Sequence, residues 1–139
     1  MSESTYKKPL PRPNRASEPY WEATKRHQLM VLHCNSCGHK WLPPADRCPR
    51  CLTHEPVWVE ASGRGKVWSW IIMHQRYFAA FEAELPYNVA MVELDEGPRL
   101  MTNLVDIDPA LIRCDMPVEV VFDDVTPEIT LPKFRPVAG

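Results

Sequence analysis

From Val57 onward the chain alternates. Val57, Val59 and Ala61 fall on one side and Trp58 and Glu60 on the other, the period of two expected of a half-buried strand. The turn residues Ser62-Gly63-Arg64-Gly65 follow, and Val67, Ser69 and Ile71 then alternate with Trp68, Trp70 and Ile72. Residues 74–86 form a connection carrying Tyr77, Phe78 and Phe81, with a helical stretch expected near 77–84. Residues 87–94 and 99–105 read as a hairpin turned by Asp95-Glu96-Gly97-Pro98. Asp106-Ile107-Asp108-Pro109 caps a short helical turn through Ile112, and strands are expected at 116–122 and 129–134. The five short strands from Val67 onward, with a brief helix between the third and fourth, fit the five-stranded barrel called the OB-fold. Immunoglobulin-like sandwiches need seven or more and fit less well.

The first half of the chain has a different rhythm. Pro9, Pro11 and Pro13 stand at alternate positions among Lys7, Lys8, Arg12 and Arg15, so residues 1–16 read as an extended arm, either a free tail or a segment lying along a partner. Ser17 suits a helix N-cap, with Glu18 and Pro19 in the first turn. Tyr20, Trp21, Ala23, Thr24 and His27 then make one face of a short helix. The aromatic pair Tyr20-Trp21 packs against the chain's own core or against a partner; the pattern alone leaves both open. Residues 29–33 and 39–42 are short β-type runs flanking the first of two cysteine pairs.

Those pairs are Cys34-Asn35-Ser36-Cys37 and Cys48-Pro49-Arg50-Cys51, ten residues apart. Each short loop points two sulfurs inward, and two such knuckles facing each other build a tetrahedral thiolate site. Gly38 suits the sharp turn after the first pair. Zinc is the expected metal, held by Cys34, Cys37, Cys48 and Cys51. His33 and His39 stand beside the site, but four cysteines already fill it. A closed four-thiolate site leaves no position for substrate, so its role is structural. The expected organisation is an arm over 1–16, a helix and rubredoxin-like zinc ribbon over 17–56, and an OB barrel over 57–139.

Composition narrows the class further. The 139 residues are 45% hydrophobic, enough for a core, and no apolar run reaches the ~18 residues of a membrane span. The polar, proline-rich start has no apolar signal segment, so a cytoplasmic location and reduced cysteines are expected. Cys114, outside the two pairs, is expected as a buried packing residue. The formal net charge is −2. Four thiolates on one divalent zinc make the loaded chain more negative still, which does not favour nucleic-acid binding. Lys40, Arg47 and Arg50 surround the cysteines and are expected to offset their charge. His27, His54 and His74 are scattered, and no catalytic motif is recognisable.

Several motifs together carry a resemblance: residues 19–23 (Pro-Tyr-Trp-Glu-Ala), Cys34-x-x-Cys37-Gly38, Leu42-Pro43-Pro44, Cys48-Pro49-x-Cys51, Gly63-Arg64-Gly65, Leu85-Pro86-Tyr87 and residues 92–97 (Val-Glu-Leu-Asp-Glu-Gly). Over about 9–135 the chain resembles the zinc-ribbon OB-fold family once called domain of unknown function 35, departing from it at Leu52, where many members have Gly. The resemblance implies a small non-catalytic subunit of thiolase-fold enzymes (thiolases, acyltransferases or retro-aldolases) acting on acyl-CoA thioesters, or of hot-dog-fold hydratases. It implies a hetero-oligomer, in some members of which the barrel helps hold CoA. Arg64, Lys66 and Arg76 are the candidate cations for CoA phosphates, and Tyr20, Trp21, Tyr77 and Phe78 the candidate partner interface.

Two other classes compete. OB barrels bind single-stranded nucleic acid through stacked aromatics in a basic groove, and Trp68, Trp70, Tyr77 and Phe78 supply the aromatics. Against that reading, segment 77–97 carries Glu82, Glu84, Glu93, Asp95 and Glu96. The cysteine pairs also suit a rubredoxin-like iron site for electron transfer; an iron-loaded protein is red and a zinc-loaded one colourless.

Overall fold

The computed structural model describes residues 6–137; residues 1–5 of the expected arm and 138–139 at the end of the expected barrel lie outside it. Helix α1 (Glu18–Lys25) opens the folded body. It buries Tyr20, Ala23 and Thr24 and leaves Trp21 half-buried. Thr24 satisfies its buried hydroxyl by donating to the Trp21 carbonyl at 2.8 Å. Ser17 holds the N-cap position but does not cap with its side chain. Its hydroxyl accepts from the Asn14 N–H instead, at 3.0 Å, because the arm turns back there. The chain leaves the helix through His27 at φ 57°.

The first sheet has the order β2-β1-β3, from β1 (Met30–His33), β2 (Lys40–Trp41) and β3 (Val57–Glu60). The strand at Val57, expected as the opening of the barrel, instead pairs antiparallel with β1, Val59 opposite Val31. Its alternation is real, but alternation does not specify which neighbour a strand finds.

The second sheet is antiparallel in the order β6-β5-β4-β7-β8. Its strands are β4 (Arg64–Met73), β5 (Tyr87–Leu94), β6 (Arg99–Thr102), β7 (Pro117–Asp124) and β8 (Thr130–Pro136). A parallel bridge between Leu104 and Phe134 brings its two margins together, so the sheet curls into the partly closed barrel of an OB-fold. Short 3-10 turns at Ala79–Glu84 and Pro109–Leu111 lie between β4 and β5 and between β6 and β7. The second is the brief helix expected between the third and fourth barrel strands.

Two features of β4 shape this barrel. Gly65 sits where an added Cβ would meet the Glu93 carbonyl oxygen, and Val92 Cγ1 at 3.0 Å, so β5 can close on it only because it has no side chain. Two residues later the register slips, Val67 facing Val92 and Ser69 facing Met91, with Trp68 the extra residue of a bulge. The bulge resets the alternation. Val67 is buried but Ser69 and Ile71 are exposed, and Trp70 turns toward the core instead. The single face read as Val67, Ser69 and Ile71 is therefore split between inside and outside. Tyr20, Leu29 and Val31 share one core with Val67, Val92 and Phe134, so helix, ribbon and barrel are packed as one body.

Candidate metal centre

Each cysteine pair closes a tight backbone turn. The Gly38 N–H donates to the Cys34 carbonyl at 2.8 Å, and the Leu52 N–H to the Cys48 carbonyl at 2.9 Å. Gly38 and Leu52 are equivalent, each following the second cysteine of its pair, and both are left-handed, at φ 79° and 66°. Glycine takes that conformation freely, whereas a residue with a Cβ is strained by roughly 1–2 kcal/mol. Leu52 adopts it with its side chain 61% exposed, so the knuckle forms without a steric clash.

The two knuckles bring four sulfurs together. Cys34 and Cys51 Sγ are 3.6 Å apart, Cys37 and Cys48 Sγ 3.7 Å, and all four lie within 4.8 Å of one another. Four sulfurs placed ~2.3 Å from a central tetrahedral zinc stand roughly 3.8 Å apart, so the donor set fits that ion. None of the four is bridged to another, so all four sulfurs are offered to one centre. The Cys37 N–H donates to Cys34 Sγ at 3.5 Å and the Arg50 N–H to Cys48 Sγ at 3.4 Å. The Thr53 hydroxyl, 3.1 Å from Cys51 Sγ, together with the Thr53 N–H, lowers the Cys51 thiol to about 6. At Cys37 a His39 backbone bond favours the thiolate, but desolvation and the neighbouring sulfurs push the thiol up to about 11. A divalent cation held by these four sulfurs would supply the charge that lets four thiolates share so small a volume. Trp41 and Leu32 wall the buried side, beside Cys34 and Cys48.

The other residues picked out by the sequence are scattered. His39 stacks on Trp41 with centroids 5.9 Å apart, and neither His39 nor His33 belongs to the sulfur cluster. Arg47 directs its guanidinium at His54 Nε2, 2.6 Å away. Cys114, expected in the core, is exposed. It sits on the turn before β7, with its Sγ 3.6 Å from the carbonyl of Trp68, the extra residue of the β4 bulge. Arg64 and Lys66 are exposed on β4, and Lys66 lies 3.8 Å from both Glu93 and Asp115. Arg76, paired with Glu82 at 3.2 Å, stands beyond the opposite end of the strand, so the three cations do not converge. Tyr20 is buried in the chain's own core, where burial pushes its phenol up to about 12. Trp21 lines an apolar groove of about 410 Å³ with Leu42, Pro43, Met91 and Met101. Tyr77 and Phe78 are 67% and 58% exposed.

Two tertiary links had no counterpart in the sequence pattern. Lys8 of the arm reaches Glu84 at 2.9 Å and lies over the Phe81 ring, 5.5 Å from its centroid. His27 Nε2 lies 3.0 and 3.1 Å from the two Asp124 oxygens, and its ring stacks on Phe122. Each joins residues more than 70 positions apart, a separation that no local periodicity encodes.

A four-cysteine ribbon set against a curled five-stranded barrel defines the class, a zinc-ribbon OB-fold protein. Residues 21–57 match the family described as "ChsH2, rubredoxin-like zinc ribbon domain", and residues 58–123 match "ChsH2, C-terminal OB-fold domain". The chain belongs to the DUF35 family. It is 35% identical over 104 residues to a DUF35 domain-containing scaffold protein of Methanocaldococcus jannaschii, covering 73% of each chain. It is 44% identical over 140 residues to the probable enoyl-CoA hydratase alpha subunit of Thermomonospora curvata. That match takes in 97% of this chain but only 43% of the relative, so the chain spans less than half the length of that subunit. A solved chain titled "Ltp2-ChsH2(DUF35) aldolase" superposes with a TM-score of 0.83 at 43% identity, over 93% of this chain and 100% of that one.

Proposed function

We propose that this chain is a zinc-bound, non-catalytic accessory subunit that docks onto a thiolase-fold enzyme acting on acyl-CoA thioesters, in the cytoplasm, and stabilises it. The observation that carries the reading is the likeness, over the whole length of the solved chain, to the Ltp2-ChsH2(DUF35) aldolase. The geometry agrees with it. The metal site is closed by four thiolates and so supplies folding energy rather than an open coordination position. Tyr77 and Phe78 are exposed side by side, as interface anchors are before a partner covers them. Trp21 adds a half-buried aromatic at the apolar groove, whereas Tyr20 is committed to the core. Arg64 and Lys66, exposed together on β4, are the cations offered to CoA phosphates, and Arg76 is too far along the chain to join them.

The identity to the hydratase alpha subunit favours a second reading of the partner, a hot-dog-fold hydratase in place of a thiolase-fold enzyme. Purification of the tagged chain from its own cell separates the two, since the enzyme that accompanies it has one fold or the other. The isolated chain is expected to show no thioester turnover and its complex to show it. Robust turnover by the chain alone refutes the accessory role.

A further inference from the structure

Strand β4 is paired along one side and open along most of the other. β5 runs beside Gly65–Met73, whereas β7 reaches only Arg64–Lys66. Val67 still faces β7, accepting from the Asp115 N–H at 2.7 Å and donating to the Met116 carbonyl at 3.1 Å. Val67 and Val92 therefore exchange no ladder bond. β5 is regular, so Val92, Ala90 and Asn88 share one phase. Their partners across the bulge are Val67, Trp70 and Ile72. The N–H and C=O of Trp70 and Ile72 consequently point to the open side, where among the described residues no group bonds to them.

Native sheets guard such an edge with lysine, proline or a covering element. Here residues 67–73 read Val-Trp-Ser-Trp-Ile-Ile-Met, uncharged, without proline or glycine, and rich in β-branched and aromatic side chains. Ile71 is 55% exposed on it. We propose that the open edge of β4 at Trp70 and Ile72 receives an extended strand of the partner enzyme, which adds itself to the barrel sheet. The proposal rests on the docking reading above and names how the docking is made.

Charge decides the occupant. No carboxylate occurs from Ser62 to Phe81, while Arg64, Lys66 and Arg76 flank the uncharged stretch at its two ends. Glu93, Asp115 and Glu82 offset Lys66 and Arg76 from neighbouring elements, but they do not lie on the edge itself. A second copy pairing antiparallel about Ile71 would set Lys66 opposite Arg76 twice, and like charges facing each other across strands repel. A partner segment that is apolar in the middle and carries carboxylates at its flanks meets both requirements. Main-chain bonds then give affinity, and the side chains on alternate positions give selectivity. β4 also runs directly into the connection bearing Tyr77 and Phe78, so one partner covers edge and aromatics together.

The test uses the enzyme that co-purifies with the chain. By NMR, Ser69, Ile71 and Met73 amides exchange slowly in the free protein because β5 holds them. Trp70 and Ile72 amides exchange fast when free and slow by about tenfold or more in the complex, the effect of one added hydrogen bond. Unchanged exchange at these two amides on complex formation overturns the strand. Ile72→Pro removes an outward N–H while sparing the β5 ladder, and the folded, zinc-loaded variant binds the partner at least ~10-fold more weakly. Unaltered affinity there, with binding lost in Tyr77→Ala/Phe78→Ala, overturns the strand and leaves the docking reading standing. No complex in any variant or in the parent overturns both. A free-chain dimer in ultracentrifugation that Ile72→Pro dissolves overturns the choice of a partner strand over a second copy.

Discussion

Cys48 and Leu52 show how one knuckle is held from both ends. Cys48 supplies a buried sulfur and the carbonyl that closes the turn, and Leu52 supplies the N–H in a left-handed conformation. Cys48→Ser is expected to lose the metal and unfold the ribbon, because binding and folding are coupled in such modules. Metal analysis and circular dichroism on the variant check this, and full metal content would contradict it. Leu52→Gly is expected to stabilise the chain by about 1 kcal/mol, since glycine removes the left-handed strain at some cost in unfolded-state entropy. Denaturant midpoints of the two forms decide it. A third residue, Asp124, is held below the ordinary carboxylate value by the Thr130 hydroxyl and by His27. Its folded value is depressed, so its contribution is complete above the unfolded value and disappears as pH falls through the folded one. The melting gap between the parent and Asp124→Asn is therefore expected to close as pH falls below the ordinary carboxylate range. A gap that widens on acidification would show the sign to be wrong.

At the level of elements, β4 is the strand on which the barrel turns. Gly65 lets β5 close on it, and the bulge at Trp68 swings the second half of the strand to a new face. Gly65→Ala forces a methyl group against the Glu93 carbonyl, and overpacking of that kind costs about 1–3 kcal/mol. A lower melting temperature with unchanged metal content is expected; an unaltered melt would mean that β5 can yield. The sequence located most elements correctly because turn residues and alternation are local. It missed the bulge because an extra residue shows only against a partner strand, and β5 is about 20 residues further along. Cys114 was missed for a similar reason: it lies exposed on the turn before β7, with its Sγ directed at the carbonyl of Trp68, 46 positions away.

For the whole molecule, the shared core means that helix, ribbon and barrel are expected to gain or lose stability together. Tyr77 and Phe78 stand outside that core, on the surface. Tyr77→Ala/Phe78→Ala is expected to leave the free chain folded and metal-loaded, because neither ring is buried. Partner binding should fall by roughly 2 kcal/mol or more if the pair acts as an interface anchor. Calorimetric titration and a thermal melt separate the two quantities. A large drop in melting temperature with binding intact would move these rings into the fold's own accounts.

The sequence by itself determined which four cysteines come together, because two short Cys-x-x-Cys loops fix their sulfurs locally and leave few ways to be completed. It likewise determined the strands, the hairpin and the brief helix of the barrel, since each rests on spacing within a dozen residues. Tertiary structure alone decided that β3 joins the ribbon sheet, that Tyr20 is core while Tyr77 and Phe78 are surface, and that Lys66 and Arg76 stand at opposite ends of β4. Those outcomes depend on which apolar faces meet across the chain. Alternation records that a residue has two faces, and only packing selects the one that is covered.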